Sequence, residues 1–253
     1  MKEHQDASGR LLRVENLKKQ FGNLSVLEGV SFSTEAGEIL GIVGPNGAGK
    51  TTLFNLISGL LPSTGGEIYF EDRRITHLKP YQICPLGITR TFQIPVVFPT
   101  LTVSQNVSIG ALFGKRRVAR KNLDASIDKI LRLLEIEYLK SSSAQQLSLY
   151  HKKLVMLAAS LATQPRLLLL DEPLAGLTYG EIEHFMKILR QLNGEGMTII
   201  IIEHLIDWLR NISKRMLVIH NGTVMASGPP EQVVQDASVI EIYLGKEQDE
   251  PRN

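Results

Sequence analysis

A glycine-rich stretch ending in a lysine and two threonines could bind phosphate. It follows the apolar residues 39–43 and precedes a segment with helical character, as the pattern G-x-x-x-x-G-K-[ST] requires. Glycines let main-chain N–H groups surround an anion at a helix N-terminus, where the helix dipole favours negative charge. The stretch therefore predicts a nucleotide phosphate site formed by Gly44, Pro45, Asn46, Gly47, Ala48, Gly49, Lys50, Thr51 and Thr52.

Two side chains of this stretch have specific expected contacts. Lys50 would reach the β and γ phosphates of a nucleoside triphosphate, and the hydroxyl of Thr51 would bind Mg²⁺. The spacing therefore predicts a triphosphate and its metal ion.

Two adjacent carboxylates lie further along the chain. Asp171 and Glu172 come directly after four leucines, Leu167 to Leu170, which have the character of a buried strand. Burying a carboxylate at the end of such a strand is unfavourable unless it meets a cation. We expect Asp171 to act on Mg²⁺, directly or from its second shell, and Glu172 to orient or deprotonate an attacking water.

Charge and composition exclude several classes of protein. The 253 residues include 28 Lys and Arg and 26 Asp and Glu, a net charge of +2, which argues against a nucleic-acid partner. The single cysteine, Cys84, excludes an internal disulfide and fits a reducing compartment. The polar N-terminus lacks the apolar core of a signal peptide, and no apolar run approaches the ~18 residues of a membrane span. We expect a cytoplasmic chain that reaches a membrane only through a partner.

Apolar patterning predicts an α/β protein. The dipeptide Asn221-Gly222 is a strong hairpin signal, and Thr178 with Glu181 has the spacing of a capping box. Strands are predicted at 11–14, 26–33, 39–43, 67–70, 167–170, 197–202, 216–220 and 223–227. Helices are predicted at 52–58, 103–113, 123–134, 148–162, 178–191, 206–212 and 230–244. Residues 95–164 therefore form a predicted helical insert between strands.

With these elements in order, the sequence resembles the nucleotide-binding subunits of ATP-binding cassette (ABC) transporters, from about Leu12 to Gly245. It is most similar to the ATPases of branched-chain amino-acid importers. The local stretches that suggest this are Thr89-Arg90-Thr91-Phe92-Gln93, Asp171-Glu172-Pro173, Ala175-Gly176-Leu177, Ile202-Glu203-His204, Val239-Ile240 and Tyr243-Leu244-Gly245.

The resemblance implies a P-loop NTPase fold that binds ATP and Mg²⁺, with an antiparallel β subdomain and an inserted helical subdomain. Residues 1–94 and 165–253 would form the RecA-like ATP-binding core with the β subdomain, and residues 95–164 the helical subdomain. Phe21 would stack on adenine, the alternative being an ordinary core aromatic. Gln93 would contact Mg²⁺ and the attacking water, and His204 would contact the γ-phosphate. His184 and His220 are expected to be structural.

One segment departs from the family. ABC ATPases act as dimers, and each nucleotide also meets a signature segment of the partner, usually Leu-Ser-Gly-Gly-Gln. This sequence has Leu147 followed by Ser148, Leu149, Tyr150 and His151. Glycine permits close approach to phosphate, so Tyr150 threatens a clash. The alternative is that Tyr150 turns outward, and that Ser148 with the helix dipole suffices.

The resemblance implies an ATP-hydrolysing subunit of an importer of branched-chain amino acids or related small polar solutes. Its partners would be a second ABC ATPase, transmembrane permease subunits and, indirectly, a solute-binding protein. The altered signature favours a heterodimer over a homodimer. Two alternatives are a regulatory ATP-binding subunit with little hydrolysis and the ATPase of a transporter that extracts lipid or lipopolysaccharide.

Overall fold

The structure, a computed structural model, describes residues 9–114 and 122–244, and the side chains of residues 9–114 and 122–242. The strands are β1 (Arg10–Phe21), β2 (Leu24–Glu35), β3 (Ile39–Val43), β4 (Gly65–Phe70), β5 (Arg73–Arg74), β6 (Ile88–Arg90), β7 (Leu167–Asp171), β8 (Thr198–Ile202), β9 (Arg215–His220) and β10 (Thr223–Gly228). The helices are α1 (Lys50–Ile57), α2 (Pro80–Ile83), α3 (Val103–Phe113), α4 (Leu123–Leu133), α5 (Leu149–Ala162), α6 (Tyr179–Gly194), α7 (Ile206–Ile212), α8 (Pro230–Val233) and α9 (Ala237–Leu244). The predicted α/β class is confirmed.

The chain divides into two compact units. The first contains the chain up to His77 and from Ile200 onward, and the second contains Leu78–Ile199. The predicted helical insert, residues 95–164, lies inside the second unit, and its boundaries as a separate subdomain stay a prediction.

The first unit contains an antiparallel sheet in the order β2-β1-β4-β5. Val14 of β1 lies opposite Phe32 of β2 and Ile68 of β4. These three neighbouring residues on adjacent strands are all buried. The sheet therefore covers an apolar core on one face.

A second group of strands in this unit has the order β10-β9-β3-β8. All five residues of β3 are buried, as expected of a strand covered on both faces. The predicted hairpin between β9 and β10 is confirmed, because Asn221 and Gly222 have φ values of 46° and 73°, the left-handed values that such a turn requires.

In the second unit, β6 and β7 are parallel, with Arg90 opposite Leu169. Beside them α3, α4 and α5 pack on one another. The predicted capping box at the start of α6 is confirmed, because the main-chain N–H of Thr178 donates to Glu181 Oε2 at 2.8 Å. Among the described residues, no helix combines the length and apolar character needed to cross a bilayer.

Strand β1 (Arg10–Phe21) is much longer than the predicted 11–14, and α6 extends three residues beyond the predicted Gln191. Two further helices differ for reasons that a local contact explains. The predicted helix 230–244 is two helices, because Asp236 Oδ1 accepts from the main-chain N–H of Ser238 at 2.9 Å and so caps a new helix. Helix α1 begins at Lys50 rather than Thr52, since the carbonyl of Gly49 already accepts from the N–H of Leu53 at 2.8 Å. The short elements α2, β5 and β6 were not predicted, and Gly245 lies outside the described residues.

Candidate functional site

The predicted phosphate-binding loop connects β3 to α1 in the first unit. Gly44 and Gly49 have φ values of 152° and 100°, where side chains other than glycine are strained. A Cβ atom on Gly44 would lie 2.0 Å from the carbonyl oxygen of Ile219, and one on Gly49 would lie 2.5 Å from Leu27 Cδ2. Both positions therefore require glycine, which keeps the main chain of the loop accessible to a ligand.

Lys50 lies over this loop. Its Nζ donates to the carbonyls of Gly44 at 2.7 Å and Pro45 at 2.9 Å, and the side chain is buried. Thr51 in the first turn of α1 is exposed, as are Asn46 and Gly47 in the loop. The loop thus presents a cation, a hydroxyl and glycine main chain, a donor set suited to phosphate.

Two other predicted residues belong to the same unit. Phe21 ends β1 and is 45% exposed, with Lys19 Nζ 4.7 Å from the ring centroid. An ordinary core aromatic is therefore excluded, and the ring is accessible for stacking. His204 lies two residues after the end of β8 and is exposed. Its main-chain N–H donates to Glu203 Oε2 at 3.2 Å.

The predicted metal carboxylate belongs to the second unit. Asp171 ends β7, and its Oδ2 accepts from Arg90 Nη2 at 2.7 Å. Both side chains are only 5% exposed. Arg90 is therefore a cation that the buried carboxylate meets within its own unit, and the sequence analysis missed it.

Glu172 and Gln93, predicted from different parts of the sequence, lie together. Gln93 Nε2 donates to Glu172 Oε2 at 2.5 Å. Glu172 has a φ of 45°, a left-handed value uncommon outside glycine. The amide nitrogen of Gln93 makes this hydrogen bond, so the amide oxygen of Gln93 is directed away from Glu172.

The altered signature segment begins α5 in the same unit. Ser148 caps the helix, because its Oγ accepts from the main-chain N–H of His151 at 3.3 Å. The same Oγ lies 2.9 Å from His151 Nδ1, and Tyr138 Oη lies 3.0 Å from His151 Nε2. The serine hydroxyl is therefore held by the histidine that replaces the usual glutamine.

The Tyr150 side chain is buried rather than turned outward to solvent. Its hydroxyl hydrogen-bonds to His184 Nδ1, and His184 Nε2 lies 3.0 Å from Glu135 Oε2. Burial, with the negative charges of Glu181 and Glu135, raises the pKa of Tyr150 to about 12. Tyr150 and His184 thus belong to the interior packing of the unit, and Leu149 is the exposed side chain in place of a signature glycine.

Lys153, which the sequence analysis did not connect with Glu172, contacts the main chain of that residue. Its Nζ donates to the carbonyls of Pro173 at 2.8 Å and Glu172 at 3.2 Å. The sequence pattern that could have identified this buried lysine is its spacing, three residues after Tyr150 and four before Leu157, which places it on the buried face of α5.

Comparison with known proteins identifies the family. The family model of ABC transporters matches residues 27–175. The chain belongs to the ABC transporter family. A second model, of branched-chain amino-acid ATP-binding cassette transporters, matches residues 223–249. The chain is therefore an ABC-type ATPase within the branched-chain amino-acid transporter group.

Relatives of known name agree with this assignment. The probable branched-chain amino-acid transport ATP-binding protein LivG of Methanocaldococcus jannaschii is 36% identical over 251 residues, covering 93% of this chain and 98% of the relative. The high-affinity LivG protein of Escherichia coli K12 is 34% identical with the same coverage.

Solved structures of ABC cassettes have the same fold. The ADP conformation of an ATP-binding cassette from an ABC transporter gives a TM-score of 0.86 at 35% identity, covering 93% of this chain and 99% of that one. A nucleotide-free cassette gives 0.85 at 34% identity, covering 92% and 98%. The predicted P-loop NTPase fold of the ABC type is confirmed.

Proposed function

We propose that the chain is the ATP-hydrolysing subunit of an importer of branched-chain amino acids or related small polar solutes. The observation that carries the proposal is the contact at 2.5 Å between Gln93 and Glu172, which holds a carboxylate next to Asp171. Hydrolysis needs a base that orients water for in-line attack on the γ-phosphate, and Glu172 is the residue we assign to that role.

The other residues act on the phosphates. The main chain of the loop from Gly44 to Thr52 binds them, Lys50 leaves its two carbonyl partners to contact the β and γ phosphates, and His204 contacts the γ-phosphate. Phe21 stacks on adenine. The water adds to phosphorus, the bond to the bridging oxygen breaks, and Glu172 accepts the water proton, leaving ADP and phosphate.

The residues present fit Mg²⁺, because the Thr51 hydroxyl, the Asp171 carboxylate and the Gln93 amide oxygen are the hard oxygen donors that this ion takes. Asp171 is held in place for this by Arg90. When bound, Mg²⁺ neutralises charge that develops on the phosphate oxygens.

Two substitutions in the assembled transporter test the assignment. Lys50→Ala removes the cation of the loop, and ATP binding is expected to fall with ATP turnover. Glu172→Gln keeps the shape of the side chain but removes the base, so turnover should fall about 10²-fold or more while ATP binding persists. Steady-state turnover that stays at the wild-type rate in either variant would contradict the proposal.

We also propose a heterodimer with a second ABC ATPase. Exposed Leu149 stands where the family usually has a glycine, and the Ser148 hydroxyl is already engaged by His151. Both features make this segment a poor match for a partner's γ-phosphate, whereas the chain's own loop, Glu172 and His204 are complete. A homodimer would contain two such altered sites.

Single-turnover hydrolysis with and without the partner ATPase separates the alternatives. Hydrolysis that requires the partner and is lost in Glu172→Gln supports the heterodimer. Little hydrolysis by this chain in either condition would favour the regulatory subunit instead. Uptake of branched-chain amino acids into vesicles containing the transporter distinguishes the importer from a lipid or lipopolysaccharide extractor.

The partners include transmembrane permease subunits, and we place the chain in the cytoplasm on the inner face of the membrane, bound through them. A solute-binding protein would act indirectly through the permease. The supporting feature is an apolar loop, residues 94–98, whose exposed side chains directly follow Gln93. Contact there would connect a permease to the residue that touches Glu172.

A further inference from the structure

Lys153 is a buried lysine outside the residues assigned to hydrolysis above. It lies on α5, is 2% exposed, and its Nζ donates to the main-chain carbonyls of Glu172 and Pro173. A charged ammonium is unfavourable in the interior unless polar groups replace its water. Carbonyl oxygens at 2.8 and 3.2 Å provide that replacement, so the lysine is anchored to the segment that follows β7.

That segment contains an uncommon backbone conformation. The φ of Glu172 is 45°, a value that persists in non-glycine residues when surrounding contacts enforce it. The carbonyl of Glu172 accepts from the N–H of Ala175 at 3.3 Å as well as from Lys153. The two donors act on the main chain of Glu172, while Gln93 acts on its carboxylate.

We propose that Lys153 is a positioning residue for Glu172. This inference rests on the proposed role of Glu172 as the base. Lys153 holds the main chain of Glu172 in its left-handed conformation, and that conformation aims the carboxylate at Gln93 and the water. Without the lysine the turn relaxes, and the carboxylate leaves the position that in-line attack requires.

The placement also connects two parts of the molecule. Lys153 comes five residues after Ser148, the cap of α5, a distance of about 7.5 Å along the helix. A side chain of the helix that carries the signature segment therefore donates a hydrogen bond to the main chain of Glu172. A shift of α5 when a partner's nucleotide is engaged would reach Glu172 through this lysine.

The test uses two substitutions. Lys153→Met keeps the length of the side chain but removes its charge and its N–H donors, and Lys153→Arg keeps the charge and the donors. In the assembled transporter, Lys153→Met is expected to lower kcat about 10- to 100-fold, as a displaced reacting group does. The Kd for ATP should stay within about twofold, because the phosphate loop belongs to the other unit. Lys153→Arg should recover most of kcat.

Lys129→Met is the matched control, because Lys129 is an exposed lysine on α4 of the same unit. Wild-type kcat in Lys153→Met, or an equal loss in Lys153→Arg, would overturn the inference, and so would a rise in the Kd for ATP that accounts for the whole effect. If Lys153→Met does not fold, Lys153→Gln, which keeps two N–H donors without the charge, is compared with Lys153→Arg on the same readouts. A kcat near the wild-type value in both supports a role through hydrogen bonding, and a low kcat in both overturns the inference.

Glu172→Gln measured in parallel separates the two proposals. Loss of turnover in Glu172→Gln with wild-type turnover in Lys153→Met removes only the inference about Lys153. Wild-type turnover in Glu172→Gln removes the proposed function itself.

Discussion

At the scale of single residues, the pair of Arg90 and Asp171 shows how the fold accommodates a carboxylate at the end of a buried strand. The two side chains are almost fully buried and 2.7 Å apart. Transfer of either charge into the interior alone would be strongly unfavourable, and each offsets that penalty for the other. Arg90 thereby fixes the orientation of the Asp171 carboxylate, the group that we propose as a ligand of Mg²⁺.

Removal of Arg90 should therefore destabilise the chain. In Arg90→Met we expect the free energy of unfolding to fall by about 3–5 kcal/mol, because the buried Asp171 carboxylate loses its ion pair with Arg90. Urea denaturation of the isolated chain measures this change.

Arg74→Met is the matched control, because Arg74 pairs with Glu67 at a largely exposed position. An exposed pair contributes about 0–1 kcal/mol, so this variant should stay close to wild type. Equal losses in the two variants would show that burial of the Arg90 pair has no special role.

Tyr150 gives a second prediction at this scale, through its pKa of about 12. In the unfolded chain a tyrosine ionises near pH 10. Between these values the unfolded state binds fewer protons than the folded state, so stability is full below pH 10 and is lost as the pH rises through 12. The slope attributable to one group is at most about 1.4 kcal/mol per pH unit.

Unfolding free energies at several pH values from 8 to 12 test this. Tyr150→Phe cannot ionise, so it should lose stability less steeply than wild type above pH 10. Exposed Tyr81 provides the control, and Tyr81→Phe should keep the wild-type slope. Parallel curves for wild type and Tyr150→Phe would show that the phenol titrates alike in both states.

At the scale of helices and strands, the close approach of α3 to α5 requires glycine at position 110. A Cβ on Gly110 of α3 would lie 1.9 Å from the carbonyl oxygen of Ala159 on α5. Since a main-chain atom cannot move aside cheaply, Gly110→Ala must separate the two helices. We expect a loss of about 3 kcal/mol or more in the free energy of unfolding.

Gly180 of α6 is the opposite case, because a Cβ there meets no atom within 4 Å. Alanine restricts the unfolded chain and favours helix, so Gly180→Ala should gain roughly 0.5–1 kcal/mol. Chemical denaturation of the two variants measures whether the free energy of unfolding falls or rises in each. A neutral Gly110→Ala would mean that α3 and α5 adjust without loss.

The same scale shows what the sequence could predict. The predicted bounds of α3 and α7 agree with the structure. The phosphate loop could be predicted because its chemistry is contained in nine consecutive residues. The break before α9 could not, because it depends on whether Asp236 caps a new helix or continues the old one.

Contacts between residues far apart in the sequence could not be predicted from it. Arg90 and Asp171 are 81 positions apart, and Lys153 is 19 positions before Glu172. No local pattern indicates which carboxylate a given cation meets, since that depends on strand order and helix packing. The position of Asp171 and Glu172 at the end of a buried strand was predictable, whereas the residues that hold them required the structure.

At the scale of the whole molecule, the loop after Gln93 is the surface we assign to the permease. Ile94 is 78% exposed and Val96 66%, so both side chains are accessible to a partner. The buried amide of Asn106 fixes the end of the loop, accepting from the N–H of Phe98 at 2.8 Å and donating to its carbonyl at 3.1 Å. Behind the loop lies a mainly apolar cavity of about 230 Å³.

A charge on this loop should separate assembly from catalysis. In Ile94→Asp a carboxylate would have to be desolvated against an apolar partner surface, which is unfavourable. We expect the variant to fold and bind ATP as wild type does, but to lose co-purification with the permease subunits and ATP-driven uptake. Leu112→Asp, at another exposed apolar position of the same unit, should assemble normally. Wild-type assembly of Ile94→Asp would place the permease contact elsewhere, and failure of both variants would trace the defect to surface charge in general.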